Sequence, residues 1–263
     1  MRGRNEEALS CYERAITLSP DNLDTLINLG NILLELKRFE DALNHYEKAL
    51  FLNPYHAQAN CGLGAAFFKL GSFEKAEDAY TKALATTPEF PQASYNLGNL
   101  LMEVGRYIEA AENYCKALIH LPESPDVLFG LGNAMLKQGR HHEAFTFHRR
   151  AVASEAQNDG FWASFAASLE TLSFTSIDDK LLQDLLYLLE QSTTGPSGLN
   201  RPIISALRCH RQSSQLFELA AFKKPEIEIA YGRVAEQLSE IPIFLRIIQL
   251  TPIYDLGIER MLT

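Results

Sequence analysis

Apolar side chains recur three or four residues apart through most of residues 1–156, which is the spacing that places them on one face of an α-helix. Glycines and prolines interrupt this pattern at regular intervals. Each interval contains two apolar faces with a glycine between them, and glycine readily adopts the left-handed conformation of a turn between helices. Each interval therefore predicts two helices joined by a short turn.

The same residue types return every 34 residues across this region. The repeating positions are a Leu-Gly pair, a turn glycine, two alanines with a tyrosine between them and a final proline; the tyrosines are Tyr12, Tyr46, Tyr80 and Tyr114, and the prolines are Pro20, Pro54, Pro88 and Pro122. Small residues allow helices to cross closely, tyrosine fills the gap toward the next unit, and proline cannot continue a helix. Because one helix pair cannot bury its apolar face alone, the pairs must stack. The sequence predicts an all-α fold, a right-handed α-solenoid.

These positions resemble the tetratricopeptide repeat, a 34-residue helix-turn-helix unit. The resemblance covers residues 1 to about 156, and three positions depart from it: Lys37 replaces the turn glycine, His148 the tyrosine and Ala156 the proline. It implies a solenoid over residues 1–170, made of a half repeat at 1–20, full repeats at 23–56, 57–90, 91–124 and 125–158, and a capping helix at 159–170. It also implies a non-catalytic scaffold that binds proteins or peptides.

The 34-residue period ends near Thr171, but helical patterns continue. Residues 171–263 predict a helical cap region, with an apolar helix following a capping sequence at 176–179, a linker at 192–202, and further helices near 202–221, 226–239, 242–250 and 253–262. The segments at 161–170 and 239–263 resemble the helical linker of bacterial proteins that join such repeats to a class I S-adenosylmethionine-dependent methyltransferase. This resemblance implies the recruiting N-terminal part of a larger enzyme.

Charge and cysteine content narrow the class of protein. The net charge of −9 argues against a nucleic-acid surface, which needs clustered Lys and Arg. The four cysteines form no Cys-x-x-Cys motif, which favours a reducing compartment. There is neither a signal peptide pattern at the N-terminus nor an apolar run of about 18 residues. We expect a cytoplasmic protein that binds neither nucleic acid nor membrane.

No set of residues predicts catalysis, a metal site or a cofactor. The Gly-Leu-Gly motifs at 62–64 and 130–132 lie inside predicted helices, whereas a nucleotide loop requires a preceding strand. His141 and His148 occupy the aromatic columns of the repeat, so packing explains them better than a metal site with Cys115 does. We therefore expect the chain by itself to be no enzyme, and to bind neither S-adenosylmethionine nor a nucleotide sugar.

Asparagines flank the Leu-Gly pairs and supply the candidate binding site. Asn28 and Asn96 precede a pair, and Asn31, Asn99 and Asn133 follow one. This arrangement is similar to the repeat array of the O-linked N-acetylglucosamine transferases, in which an asparagine ladder on the concave face grips an extended peptide. An amide both donates and accepts hydrogen bonds, so it suits a peptide main chain. The resemblance implies a peptide-binding groove.

The predicted peptide-binding set contains both asparagine columns and two aromatic neighbours: Asn28, Asn31, Tyr95, Asn96, Asn99, Phe129 and Asn133. The third repeat has Gly62 and Ala65 at the asparagine positions, which predicts that this repeat contributes no amide and holds the ligand weakly. The alternatives are that the asparagines only solubilise a helix face, or that the chain is the recruiting arm of a methyltransferase or a glycosyltransferase. The half repeat at 1–20 lacks its first helix, so we also expect self-association through the apolar side around Tyr12 and Ile16.

Overall fold

The computed structural model describes residues 2–169, 172, 174 and 179–190. Within these residues every regular element is an α-helix. They fall into two compact units, of which the first ends at Gly139 and the second begins at Arg140. The helices predicted near 202–221, 226–239, 242–250 and 253–262 lie outside the described residues.

The first unit is a stack of helix pairs. Its helices are α1 (Arg2–Leu18), α2 (Leu23–Glu35), α3 (Phe39–Leu52), α4 (Ala57–Lys69), α5 (Phe73–Thr86), α6 (Pro91–Glu103), α7 (Tyr107–His120) and α8 (Pro125–Lys137). Each helix packs on the next one in the chain, and the first helices of successive repeats, α2, α4, α6 and α8, also contact one another. This packing confirms the predicted α-solenoid, and each first helix begins where the 34-residue period places it.

The turn inside each repeat has a left-handed residue at its centre. The turn glycines Gly71, Gly105 and Gly139 have φ angles of 74°, 80° and 75°. Lys37 takes the same conformation with φ 61°, although its β-carbon disfavours it. The Arg38 N–H donates to the Leu33 carbonyl at 2.8 Å, which closes the end of α2 in the pattern of a Schellman motif. The repeat therefore keeps its turn geometry even where glycine is missing.

The helix boundaries follow from local chemistry. Helices α1, α3, α5 and α7 each end two residues before a proline, which could not continue the hydrogen-bond ladder. Pro91 and Pro125 are the first residues of α6 and α8, where a missing N–H costs nothing. At the start of α2 the Asn22 Oδ1 accepts from the Thr25 N–H at 2.8 Å. These local signals account for the ends of the helices.

The core of the first unit consists of tyrosines surrounded by small residues. Tyr46, Tyr80 and Tyr114 are the largest of its fully buried side chains. The alanines on either side of them along the second helices are fully buried as well: Ala42, Ala49, Ala76, Ala83, Ala110 and Ala117. Leu9, Tyr12 and Ile16 of α1 pack against the core cluster that includes Tyr46, so α1 buries part of its apolar side on its own unit.

The second unit contains α9 (His141–Ser154), α10 (Asp159–Leu169) and α11 (Asp179–Glu190). The rings of Trp162 and Tyr187 lie 4.2 Å apart, which joins α10 to α11. The Arg149 Nε donates to Asp184 at 3.0 Å, which joins α9 to α11 through a largely buried ion pair. Helix α10 lies within the range 159–170 that was predicted to be helical, and α11 begins at the last residue of the predicted capping sequence at 176–179.

Candidate peptide-binding groove

The first helices of the repeats form one face of the first unit, because α2, α4, α6 and α8 contact one another in order. All seven predicted binding residues lie on these four helices and are half-buried: Asn28, Asn31, Tyr95, Asn96, Asn99, Phe129 and Asn133. Half-buried side chains contact the rest of the protein and still reach solvent. We call this face the groove.

Two of the asparagines bind buried tyrosine hydroxyls. The Tyr46 Oη donates to the Asn31 Oδ1 at 2.6 Å, and the Tyr114 Oη donates to the Asn99 Oδ1 at 2.7 Å. In both cases the asparagine follows the Leu-Gly pair, and the tyrosine lies on the second helix of the same repeat. The amide nitrogens of Asn31 and Asn99 have no hydrogen-bond partner among the described residues. Each amide therefore keeps a donor for another molecule.

Glycines hold these two tyrosine rings from both sides. A β-carbon on Gly30 would lie 2.7 Å from the Tyr46 ring, and one on Gly62 of the next repeat would lie 2.4 Å from it. Gly98 and Gly130 enclose Tyr114 in the same way, with corresponding distances of 2.7 Å each. The ring fills space that a side chain would need. This is the reason that glycine interrupts the first asparagine column at Gly62 and Gly130.

Asn96, in the other asparagine column, already has partners at both ends of its amide. Its Nδ2 donates to the Cys61 Sγ at 3.6 Å, across the interface between α4 and α6. Its Oδ1 accepts from the Gln92 Nε2 at 3.0 Å, one turn earlier on the same helix. Asn28 makes no side-chain hydrogen bond to another described residue. The two columns of asparagine therefore differ in their chemistry.

Cys61 is buried beneath the groove, at the position that Ile27, Tyr95 and Phe129 occupy in the other repeats. Burial raises the pKa of its thiol to about 11, and the hydrogen bond from Asn96 opposes this only in part. Burial also raises the pKa values of the Tyr46, Tyr80 and Tyr114 hydroxyls. These groups are all neutral near pH 7, so they contribute no charge to the groove.

The aromatic residues lie toward one end of the groove. Tyr95 is on α6, with its ring 6.0 Å from the ring of Tyr114 and tilted 52° to it. Phe129 is half-buried on α8 in the same column. Asn133, also on α8, belongs to the column of Asn31 and Asn99, but the residue fifteen positions later is His148 and not tyrosine. Repeats four and five thus combine amides with apolar surface.

A cleft that none of the seven predicted binding residues lines is also present. It has a volume of about 610 Å³ and is lined by the segment between α3 and α4, by α4 and by the end of α5. Tyr55 at its rim is 78% exposed, and Lys82 lines it as well. The sequence pattern does not predict this cleft, because its walls come from a loop and from several separate helices.

The tyrosine hydroxyls are the site feature that the sequence analysis missed. The signal is present in the spacing, since an asparagine stands fifteen residues before Tyr46 and Tyr114 and a glycine stands sixteen residues after each. At Tyr80 the corresponding residues are Ala65 and Asn96. The asparagine and glycine positions therefore change together, while the tyrosine between them stays the same.

One family model described as tetratricopeptide repeat matches this chain twice, over residues 27–94 and over residues 95–159. A second model with the same description matches residues 1–50. A search among curated proteins finds no match. Among the described residues no helix has both the length and the apolar character needed to span a bilayer.

Several solved structures are similar to this chain. A crystal structure of MamA has 26% identity, covers 60% of this chain and 93% of its own, and gives a TM-score of 0.52. TTC0263, a thermophilic repeat protein of Thermus thermophilus, has 22% identity, covers 64% of this chain and 91% of its own, and gives 0.55. YrrB, described as having an unusual peptide-binding site, has 21% identity, covers 72% of this chain and 95% of its own, and gives 0.56.

Proposed function

The chain belongs to the tetratricopeptide repeat family, and from that premise we propose that it is a non-catalytic scaffold whose groove binds an extended segment of a partner protein. The observation that carries this proposal is the pair of half-buried amides Asn31 and Asn99, each anchored through its oxygen and with an N–H donor that has no partner among the described residues. An anchored donor binds a main-chain group without losing much side-chain freedom.

The spacing of the anchored amides suits an extended chain. Asn31 lies on α2 and Asn99 on α6, so one repeat lies between them. Packed helices are about 8–10 Å apart, which places the two amides roughly 20 Å apart. An extended peptide advances about 3.3 Å per residue, so the two contacts fall about six residues apart on the ligand. Each hydrogen bond contributes about 0.5–1.5 kcal/mol net, so the aromatic residues must supply further affinity.

Tyr95 and Phe129 give the groove an apolar end. Both are half-buried, and both stand one residue before the column that holds Asn96 and Gly130. Aromatic side chains bury a large apolar area and lose little conformational freedom on binding. A ligand with an apolar side chain near its Asn99 contact fits this arrangement best. Asn28 and Asn133 belong to the same proposed surface and flank these contacts.

The proposal is tested by selecting peptides from a random library of about twelve residues on the purified chain. The double substitution Asn31→Ala and Asn99→Ala should weaken the selected peptide roughly tenfold or more, because it removes both anchored donors. The matched control is Asn44→Ala, which changes an exposed asparagine on the second helix α3. Unchanged binding by the double variant, together with loss of binding on Tyr55→Ala, would place the ligand in the cleft instead.

A further proposal is that this scaffold is the recruiting region of a larger protein. The resemblance of residues 161–170 and 239–263 to a methyltransferase linker supports a recruiting region of a larger bacterial enzyme, although the second segment lies outside the described residues. The expected result of calorimetric titration with S-adenosylmethionine or a nucleotide sugar is no binding by this chain. One-to-one binding at micromolar affinity would contradict the non-catalytic assignment.

Self-association through α1 stays a prediction. Tyr12 and Ile16 are only half-buried against α2, and Leu18 at the end of α1 is 86% exposed. A second copy of the chain could cover this apolar side. Light scattering across a concentration series should show oligomers that Tyr12→Glu disrupts. A strict monomer at high concentration, identical in the variant, would rule out this mode of association.

A further inference from the structure

We propose that the hydroxyls of Tyr46 and Tyr114 fix the polarity of the groove, so that it recognises carbonyl oxygens of the partner main chain and not its N–H groups. This inference rests on the proposed peptide-binding function and adds a rule of recognition to it. The two tyrosines are positioning residues, because they act through Asn31 and Asn99 and do not reach the groove themselves. Both rings are buried, at 0% and 1% exposure.

The polarity follows from the chemistry of a buried hydroxyl. An asparagine amide offers an acceptor on one side and a donor on the other, and rotation of the side chain exchanges them. The Tyr46 Oη donates to the Asn31 Oδ1 at 2.6 Å. If the amide rotated, its N–H would face the hydroxyl, and the hydroxyl proton would be left buried without an acceptor. The hydroxyl therefore holds the oxygen inward, and the N–H faces the groove.

The glycines make this arrangement rigid. The Tyr46 ring lies between Gly30 and Gly62, and the Tyr114 ring lies between Gly98 and Gly130, so the backbone of two helices restricts the movement of each ring. The hydroxyl of each ring consequently stays at a fixed point relative to the first helix. A donor that is held in place from behind favours ligands that present an acceptor at that place.

The third repeat provides an internal contrast. Its tyrosine, Tyr80, has Ala65 at the position of Asn31 and Asn99, and no amide can be oriented there. The nearby Asn96 donates to Cys61 and accepts from Gln92, so both ends of its amide are occupied. The third repeat therefore lacks the anchored amide that the second and fourth repeats have. Residues an even number apart on an extended strand point their carbonyls to the same side, which agrees with contacts about six residues apart.

The experiment uses a peptide selected on the wild-type chain and two series of its analogues. N-methylation removes one N–H at a time and keeps the carbonyl, whereas a thioamide weakens one carbonyl acceptor and keeps the N–H. We expect two thioamide positions about six residues apart to weaken binding roughly three- to tenfold, with N-methylation tolerated at the bonds that supply those carbonyls. Loss of binding on N-methylation there, with thioamides tolerated throughout, would overturn the inference.

Tyr114→Phe tests the positioning role directly, because the ring keeps its place between the glycines and loses only the hydroxyl. The variant should bind the parent peptide roughly three- to tenfold more weakly, and the thioamide at the Asn99 contact should no longer be penalised. A purely structural effect would lower the affinity for every analogue by the same factor. Tyr80→Phe is the matched control and should change neither affinity nor discrimination.

The outcomes separate this inference from the function on which it rests. If no peptide is selected, or if Asn31→Ala with Asn99→Ala binds the peptide as well as wild type does, the proposed function fails and the polarity rule fails with it. If the peptide binds through the groove but Tyr46→Phe and Tyr114→Phe leave the analogue pattern unchanged, only the polarity rule is wrong. Circular dichroism of each variant confirms that helix content is retained.

Discussion

The second repeat, residues 23–56, and the third, residues 57–90, share nearly every column of the 34-residue pattern and yet use their tyrosines differently. Tyr46 is enclosed by glycines of two repeats and donates its hydroxyl to Asn31. Tyr80 contacts Gly64 of its own repeat, has Ala65 in place of the asparagine, and makes no side-chain hydrogen bond to another described residue. The same residue at the same offset is a positioning group in one repeat and only a packing group in the next.

The difference shows that a column in a repeat protein is not a unit of function. The residues that meet around Tyr46 and around Tyr114 come from three helices, two in the tyrosine's own repeat and one in the next. Gly62 belongs with Asn31 in the cluster of the second repeat. One repeat later, the same two positions hold Asn96 and Ala65, so both change together. The functional unit is therefore the cluster around a tyrosine, which spans the boundary between two repeats.

The largest expected effect comes from placing a side chain at Gly62. In Gly62→Ala the new β-carbon would lie 2.4 Å from the Tyr46 ring, which Gly30 prevents from moving away. The gain in helix propensity offsets part of the steric cost, and we expect the free energy of unfolding to fall by about 1–2 kcal/mol. Urea denaturation measures this. Asn44→Ala, at an exposed position on α3, is the control and should change stability by less than about 0.5 kcal/mol.

Alkaline pH should weaken the third repeat through Cys61. Because the pKa of Cys61 is about 11 when folded and 9.0 ordinarily, the folded chain keeps its proton where the unfolded chain loses it. The protonated thiol contributes its full stabilisation below pH 9, and this contribution is lost as the pH rises through 11. The loss in the free energy of unfolding at pH 10 is about 1 kcal/mol. Urea denaturation at pH 8 and pH 10 should show this fall in the wild type.

The variant Cys61→Ala separates the thiol from other groups that titrate at alkaline pH. It should be less stable than wild type at both pH values but should lose less stability between them. Ile27 occupies the same column in the second repeat, so the effect belongs to the third repeat. An identical loss in the variant would show that the burial of Cys61 does not govern the pH dependence.

Removing the tyrosine hydroxyls should affect the two repeats unequally. Tyr46→Phe loses the bond to Asn31 and leaves an amide oxygen without its partner, at a cost of about 0.5–1.5 kcal/mol. Tyr80→Phe loses no such bond and should cost less. A double-mutant cycle with Asn31→Ala and Tyr46→Phe should give a coupling energy of similar size. Equal losses for Tyr46→Phe and Tyr80→Phe would contradict the distinction between the repeats.

The smallest effect concerns the turns of the same two repeats. Lys37 has a φ of 61° where Gly71 has 74°, and a side chain with a β-carbon is strained there. Lys37→Gly should stabilise the chain by about 0.5 kcal/mol, because relief of strain slightly exceeds the added flexibility of the unfolded state. Gly71→Lys should destabilise it by a comparable amount. Thermal unfolding monitored by circular dichroism detects both, and a loss of stability in Lys37→Gly would be the contrary result.

Much of the fold follows from the sequence alone because its signals are local. The prolines, the turn glycines and the spacing of apolar residues act within one or two helical turns, so the helix bounds of α2 to α8 could be predicted closely. The repeat period then requires stacking, since no pair of helices buries its own apolar face. Even Lys37 does not disturb this result, because the rest of the repeat imposes the turn.

The candidate site could be predicted only as far as its helix face. Helical spacing places Asn31, Asn96 and Asn99 on the first helices, and the structure finds them there. The sequence cannot show which atom of each amide is engaged, because that depends on side chains that approach from other helices. Tyr46 and Tyr114 come from the second helix of the same repeat, and Cys61 comes from the preceding repeat.

The period of the chain, its helices and their order of stacking were thus determined by residues close together in sequence. The tertiary structure decided which atom of the Asn31 and Asn99 amides is engaged, since the packing of Tyr46 and Tyr114 between glycines aims each hydroxyl at one asparagine oxygen. The repeat pattern of the sequence reflects the size of side chain that each position can hold. The direction of a hydrogen bond is set only when the neighbouring helices bring donor and acceptor together.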